Sequence, residues 1–218
     1  MKRGAASRVA MSSRLTRLAQ AFALACPLFI SGTPFAQSPS PPTDQIQQSV
    51  QTNASLWRLP EELIRGVIHV ESRGNPGAVS PKGALGLMQV VPGSGGRETW
   101  KLLYSKDYTP SRELLKDPHA NITIGSAYLA YLYHRHFASI PDPDVRVMAA
   151  LAAYNWGPGR VEKMLGRHGM PKSMTEMGSL LANYAPRETA RYVIDVITKT
   201  IEYARADLSR TVAARQIR

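Results

Sequence analysis

From about Asp44 onward, apolar residues recur at spacings of three and four, and alternating strand-like runs are scarce. That periodicity restricts the chain to packed helices, because only a 3.6-residue repeat places such positions on one face. Helix starts are legible in the same stretch. Pro60 followed by Glu61 and Glu62 suits a first turn, where an absent amide costs nothing and acids meet the positive end of the helix dipole. Asp117-Pro118 and Asp144 read the same way ahead of segments at about 118 to 136 and 144 to 155. The stretch RETARYVIDVITKTIEYARADL predicts a long amphipathic helix with Val193, Val196, Ile197, Ile201 and Ala204 on its docked face. The expected fold class is all-α: one compact, mostly helical domain with Gly/Pro-rich loops.

The first 36 residues do not belong to that domain. They contain Lys2, Arg3, Arg8, Arg14 and Arg17 with no acid, then the apolar run AFALACPLFISG and small residues around Ala36. This is the layout of a secretory signal, and the run is too interrupted for the roughly 20 apolar residues of a membrane span. Export to the periplasm is therefore expected. Cys26, the only cysteine, excludes an intrachain disulfide. Lipid anchoring through it is the weaker reading, since Ala23-Leu24-Ala25-Cys26 lacks leucine at the usual lipidation position. QSPSPPT at 37 to 43 reads as a Pro/Ser-rich linker. The expected organisation is a signal at 1 to 36, linker and first helix at 37 to 56, a domain at 57 to 205, and a tail at 206 to 218.

The formal charge is +11, five of those positive charges lying in the leader. A basic surplus indicates polyanionic partners, but no basic run interleaved with aromatics supports nucleic acid. A cell wall or an anionic membrane surface fits an exported basic protein better.

The chemistry concentrates in LIRGVIHVESRGNPGAVSPKGALGLMQVVP, residues 63 to 92. Ile64, Val67, Ile68 and Glu71 share one helix face, so an apolar stripe ends in a carboxyl group. Arg73-Gly74-Asn75-Pro76 then stops the helix, with glycine suited to the left-handed position. A carboxyl on a core face loses hydration, and its pKa should rise toward about 6 to 7, as a general acid needs. The alternative is a helix-terminal glutamate turned to solvent or paired with Arg73.

Five blocks weigh against that alternative: ES at 71 to 72, NPGAVSPKGALGLMQVVP at 75 to 92, DPHANITIGSAYL at 117 to 129, AYNWGPGRV at 153 to 161 and PRETARYV at 186 to 193. In this order they strongly resemble the lytic transglycosylase domain first described in the soluble enzyme, a relative of goose-type lysozyme. GALGLMQVV followed by SGGRETW is similar to the membrane-bound C subgroup.

The resemblance implies a lysozyme-like fold and Glu71 as catalytic acid/base. It implies substrate-binding roles for Ser80, Gly86, Gln89, Tyr154, Asn155, Glu188 and Tyr192. Glycine would let a sugar ring approach the backbone, and a glutamine amide both donates and accepts. A turn glycine and a surface amide are the plainer alternatives. Tyr154 would hydrogen-bond Glu71 or the sugar, although it could equally be a core tyrosine, because VRVMAALAAYN is apolar nearly all round. Trp156 would stack on a sugar or simply pack, and Val91 alters one subsite where relatives carry methionine. Glu188 and Tyr192, four apart, share a face, but Glu188 also suits a first helical turn.

The implied reaction cleaves peptidoglycan glycan strands between N-acetylmuramic acid and N-acetylglucosamine, leaving 1,6-anhydromuramoyl ends. No cofactor or metal is implied, and His134 and His136, two apart, face different sides of a helix. Two other readings stay open. One is a hydrolytic lysozyme, with Asp107, Asp117 or Glu98 folded near Glu71. The other is a non-catalytic wall-binding module in a secretion or pilus assembly. Wall recycling, division and secretion machinery would all use the same domain.

Overall fold

A computed structural model describes residues 42 to 216; the leader, Cys26 and most of the Pro/Ser linker lie outside the described residues. Nine α-helices are present there: α1 (Pro42–Trp57), α2 (Glu61–Ser72), α3 (Arg97–Tyr104), α4 (Arg112–Lys116), α5 (Pro118–Tyr131), α6 (Pro143–Trp156), α7 (Pro158–His168), α8 (Met174–Tyr184) and α9 (Arg187–Gln216). Wide π-type turns at Pro92–Gly96 and Leu132–His136 precede α3 and follow α5. The described residues form no β-strand, only isolated bridges in the loop between α2 and α3.

The helix starts follow from side-chain capping. Asp117 accepts from the Ala120 N–H at 2.7 Å, with Pro118 in the first turn of α5. For α6 the cap is Asp142, one proline earlier than the Asp144 start read from the sequence. Asp142 accepts from the amides of Asp144 and Val145 at 2.9 Å each, and Asp144 is a first-turn acid. At the end of α2, Arg73 rather than glycine takes the first left-handed position, at φ 55°, its N–H bonded to the His69 carbonyl at 3.0 Å. Gly74 follows it there at φ 78°.

The core sits around α5 and α6. Ala149, Ala150, Leu151, Ala152 and Ala153 are all buried, which places α6 at the centre, as its all-round apolar sequence predicts. Helix α1 packs on α5 through buried Val50 and Ala54, and Ser49 and His119 share a hydrogen bond of 2.9 Å.

Helix α9 docks along the expected face at its front, through Val193, Val196 and Ile197, and departs from it further on. Val193 and Val196 are buried, but Ile201 is 46% exposed and Ala204 is also exposed. The contact runs instead through Thr200, Tyr203 and Asp207. At Gly66 the helices approach so closely that a Cβ would stand 2.6 Å from Thr200 Oγ1 and 3.0 Å from the Val196 carbonyl. One turn on, the Arg65 guanidinium lies 4.1 Å from the Tyr203 ring centre and 2.7 Å from Asp207. His69 Nδ1 and the Tyr203 hydroxyl are 3.1 Å apart. A glycine notch and a polar anchor therefore override the apolar period.

Candidate active site

Glu71 occupies the last turn of α2, and its half-buried side chain faces α9 and the end of α6. Burial pushes its pKa up from 4.5 to about 7; the Tyr192 phenol opposes that rise, and the negative charge of Glu188 adds to it. Tyr192 is buried, and its hydroxyl has no fully formed hydrogen bond, although it lies near enough to favour the carboxylate. Glu188 is 75% exposed, 4.0 Å from the Lys82 ammonium. The closing helix thus supplies one buried donor and one solvated charge to the same carboxyl group.

A loop folded from NPGAVSPKGALGLMQV walls the other side. Leu85 and Val90 exchange two backbone hydrogen bonds of 3.0 Å, and Ser72 Oγ ties α2 to the loop by donating to the Leu87 carbonyl at 2.8 Å. Asn121, in the first turns of α5, holds this loop from inside. Its amide nitrogen donates to the Leu85 and Leu115 carbonyls, and its oxygen accepts from the Met88 N–H, all at 2.8 Å.

A cleft of about 330 Å³ is bounded by Gln89 and Val91 of this loop, Glu98 of α3, Tyr128 of α5, and Tyr154 and Trp156 of α6; Glu71 is not part of its lining and neighbours it through Tyr154, on whose phenol its charge acts. Asn155 lines it too, its side-chain oxygen accepting from Thr189 Oγ1 at 2.8 Å, which couples α6 to α9.

Several sequence-derived assignments change in detail. Gly86 is buried, and a Cβ there would collide with the Asn121 amide and lie 2.6 Å from the Leu115 carbonyl. With φ at +75° it is a turn glycine packed against protein, and it offers no surface to a sugar. Ser80 also shapes the loop, its Oγ accepting from the Ala84 N–H at 3.0 Å, and it stands outside the cleft lining. Gln89 lines the cleft, but its amide nitrogen donates to the Ala78 and Gly86 carbonyls at 3.2 and 3.0 Å, so its oxygen is what it retains for a ligand.

The Tyr154 hydroxyl donates to the Met88 carbonyl at 2.9 Å, not to Glu71, although Glu71 is close enough to act on it electrostatically. Tyr154→Phe is therefore expected to lower stability by about 1 to 3 kcal/mol, with turnover falling as the Met88 segment loosens. A denaturant midpoint and kcat from one preparation check both effects.

The other carboxylates separate clearly. Asp107 is bound to Arg97 at the surface, and Asp117 is spent on its helix cap. Glu98 lines the cleft and acts on Tyr128. Among the described residues no group of three His, Cys, Asp or Glu converges in a way that could hold a metal ion. Asn121 and Tyr128 were not singled out from the sequence, although a lone asparagine in so apolar a helix was a readable signal.

A helical domain with a carboxyl group of raised pKa next to a residue of an aromatic-lined cleft is the arrangement that acid/base chemistry requires. Residues 48–175 match the model of the transglycosylase SLT domain, and the chain belongs to that family. It is 35% identical over 165 residues to membrane-bound lytic murein transglycosylase C of Sodalis glossinidius, covering 72% of this chain and 46% of that one. It is 38% identical over 118 residues to membrane-bound lytic murein transglycosylase E of Buchnera aphidicola, covering 54% and 52%. The chain thus spans about half the length of these curated relatives. An inactive mutant of lytic transglycosylase Slt from Pseudomonas aeruginosa superposes with a TM-score of 0.61 at 28% identity, over 73% of this chain and 24% of that one. The 70 kDa soluble lytic transglycosylase of Escherichia coli gives 0.55 at 31%, over 70% and 23%.

Proposed function

We propose that the chain is a peptidoglycan lytic transglycosylase that cuts the β-1,4 bond between N-acetylmuramic acid and N-acetylglucosamine, with Glu71 as its acid/base. The observation that carries this reading is that the Glu71 carboxyl group, next to the cleft-lining Tyr154, has its pKa pushed up to about 7, so that it holds a proton near neutral pH. Glu71 gives that proton to the bridging oxygen as the bond to the muramic anomeric carbon breaks. The muramic acetamido oxygen supports the cationic carbon. The Glu71 carboxylate then takes the proton of the 6-hydroxyl on the same ring as that oxygen bonds to the anomeric carbon. Glu71 ends protonated, no water is consumed, and the intramolecular attack has a high effective concentration.

Two-carboxylate hydrolysis needs a second acid at a defined separation across the bond. Asp107 and Asp117 are engaged elsewhere, Glu188 stands in solvent beside Lys82, and Glu98, which lines the cleft, is turned to the Tyr128 phenol. That arrangement favours the anhydro route over a lysozyme-type reaction. Mass spectrometry of digested sacculi is expected to find 1,6-anhydro-muropeptides, and reducing ends alone would establish hydrolysis. Intact sacculi that bind the protein and release nothing would establish a wall-binding module instead.

Export to the periplasm and contact with the wall or membrane surface belong to the same proposal, supported by the basic leader and the positive charge of the chain. No helix among the described residues is long and apolar enough to cross a membrane.

A further inference from the structure

The cleft does not end at Glu98. Ser94 and Glu98 line both the cleft and an adjoining hollow of about 290 Å³, whose other walls include Arg97, Lys101 and Asp107. Helix α3 supplies Arg97, Glu98 and Lys101 to this second hollow and carries Trp100 and Tyr104 on the same two turns. The Trp100 ring centre lies 4.6 Å from that of Tyr104 and 4.9 Å from that of Tyr108, tilted by 44° and 50°. Tyr104 is 40% exposed and Tyr108 is 47% exposed, so two of the three rings keep a substantial part of their surface in solvent.

Trp100 packs in part against the core, whereas core packing leaves Tyr104 and Tyr108 unexplained, since they lean on Trp100 while keeping much of their surface in water. Mutual contact fixes the rings, and an aromatic ring has few torsions to freeze on binding, so the surface is organised in advance. Arg97 and Asp107 neutralise each other through two hydrogen bonds of 2.5 Å, which removes net charge from the approach. An uncharged ligand with flat apolar faces and a polar rim fits this surface, and a pyranose ring has both. An eight-residue helix is about 12 Å long, enough for roughly one further disaccharide.

We propose that Trp100, Tyr104 and Tyr108 form an accessory glycan platform, onto which a strand longer than the cleft continues along α3. This rests on the glycan-cleaving reading of the cleft, to which the platform is tied by α3, the helix that carries both the cleft-lining Glu98 and the rings of Trp100 and Tyr104. The platform would hold a strand by its sugar rings, independently of the peptide stems. Long strands would therefore bind more tightly than short ones.

The test uses the full chain carrying Glu71→Gln, so that bound strand is not consumed, and titrates it calorimetrically with long peptide-free glycan strands and with a tetrasaccharide. Tyr108→Ala, which alters an exposed residue outside any helix, is expected to weaken long-strand binding by roughly tenfold and to leave tetrasaccharide binding unchanged. Tyr104→Ala should do the same, and Trp100→Phe, which keeps a flat ring, should retain most of the binding. Melting temperatures confirm that each variant is folded. Equal weakening for both ligands, or none for either, overturns the platform. Sacculus digestion by the wild-type chain runs alongside: platform-dependent binding without cleavage would sink the catalytic reading alone, and cleavage with platform-independent binding would sink this proposal alone.

Discussion

Glu71→Gln is expected to abolish nearly all wall-cleaving activity while leaving the fold intact. The amide matches the carboxyl group in size but has no proton to give to the bridging oxygen and no basic oxygen to take one from the 6-hydroxyl. Both steps of the proposed reaction pass through this one group, so no second residue covers for its loss. General acid/base groups commonly contribute about 10² to 10⁴ in rate, and a residue used twice belongs at the upper end. Release of soluble muropeptides by equal amounts of folded wild-type and variant protein checks this. More than a few per cent of residual rate would remove Glu71 from its role.

The same substitution has a second, opposite consequence. The folded-state pKa of Glu71 is about 7, against 4.5 for an ordinary glutamate. Below about pH 4.5 the group is protonated in both folded and unfolded chains and its burial costs little. As pH rises the unfolded chain loses its proton first, and the folded state is progressively disfavoured until both are ionised above pH 7. The full penalty is about 3 kcal/mol. Glu71→Gln lacks it, so the inactive variant should be the more stable protein at pH 8, by up to roughly that amount, and should converge with wild type at pH 4. Denaturant unfolding at the two pH values reads the difference. Activity of the wild type should fall above about pH 7 as the acid form disappears.

The sequence made Glu71 legible because two signals agreed there: an apolar stripe of three-and-four spacing and a family motif. Where only one signal operated, the reading drifted. The face of α9 was drawn from apolar residues alone, and Ile201 fell on the wrong side, because the real contact is set by a glycine notch at Gly66 and by Arg65 reaching Tyr203 and Asp207. Gly86 was assigned to the sugar, yet its positive φ and the Asn121 amide against it serve the loop. The sequence offers Tyr154 to Glu71, to the sugar or to the core, and its proton goes to the Met88 carbonyl. These differences share a cause. Periodicity reports which side of a helix is apolar, whereas a hydrogen-bond partner is a backbone atom from a segment far away in the chain, which leaves no periodic trace.

Asn121 is the sharpest case, and its substitution should be the most damaging outside the catalytic carboxyl. Its side chain is fully buried and makes three hydrogen bonds of 2.8 Å, to Leu85, Met88 and Leu115, joining α5 to the loop that walls the cleft and to the end of α4. Asn121→Ala strips the Leu115 carbonyl and the Met88 N–H of their side-chain partner in a buried interior, takes one of two donors from the Leu85 carbonyl, and leaves a small cavity. Each stranded polar group costs about 1 to 3 kcal/mol, and partial relaxation of the loop brings the expected total to roughly 3 to 5 kcal/mol. For a chain of this size that corresponds to a melting temperature lower by roughly 10 °C. Activity should fall further than stability alone explains, because Met88 N–H anchors the segment whose carbonyl holds Tyr154, and Gln89 follows directly in the cleft wall. Asn121→Asp separates hydrogen bonding from volume: it keeps the shape but loses both donors and buries a charge. Its stability should therefore recover in part as pH falls, when the introduced carboxyl group takes up a proton and can donate once. An Asn121→Ala protein melting within about 2 °C of wild type, less than the loss of one such bond would produce, would show that the loop is held by its own turns and not from α5.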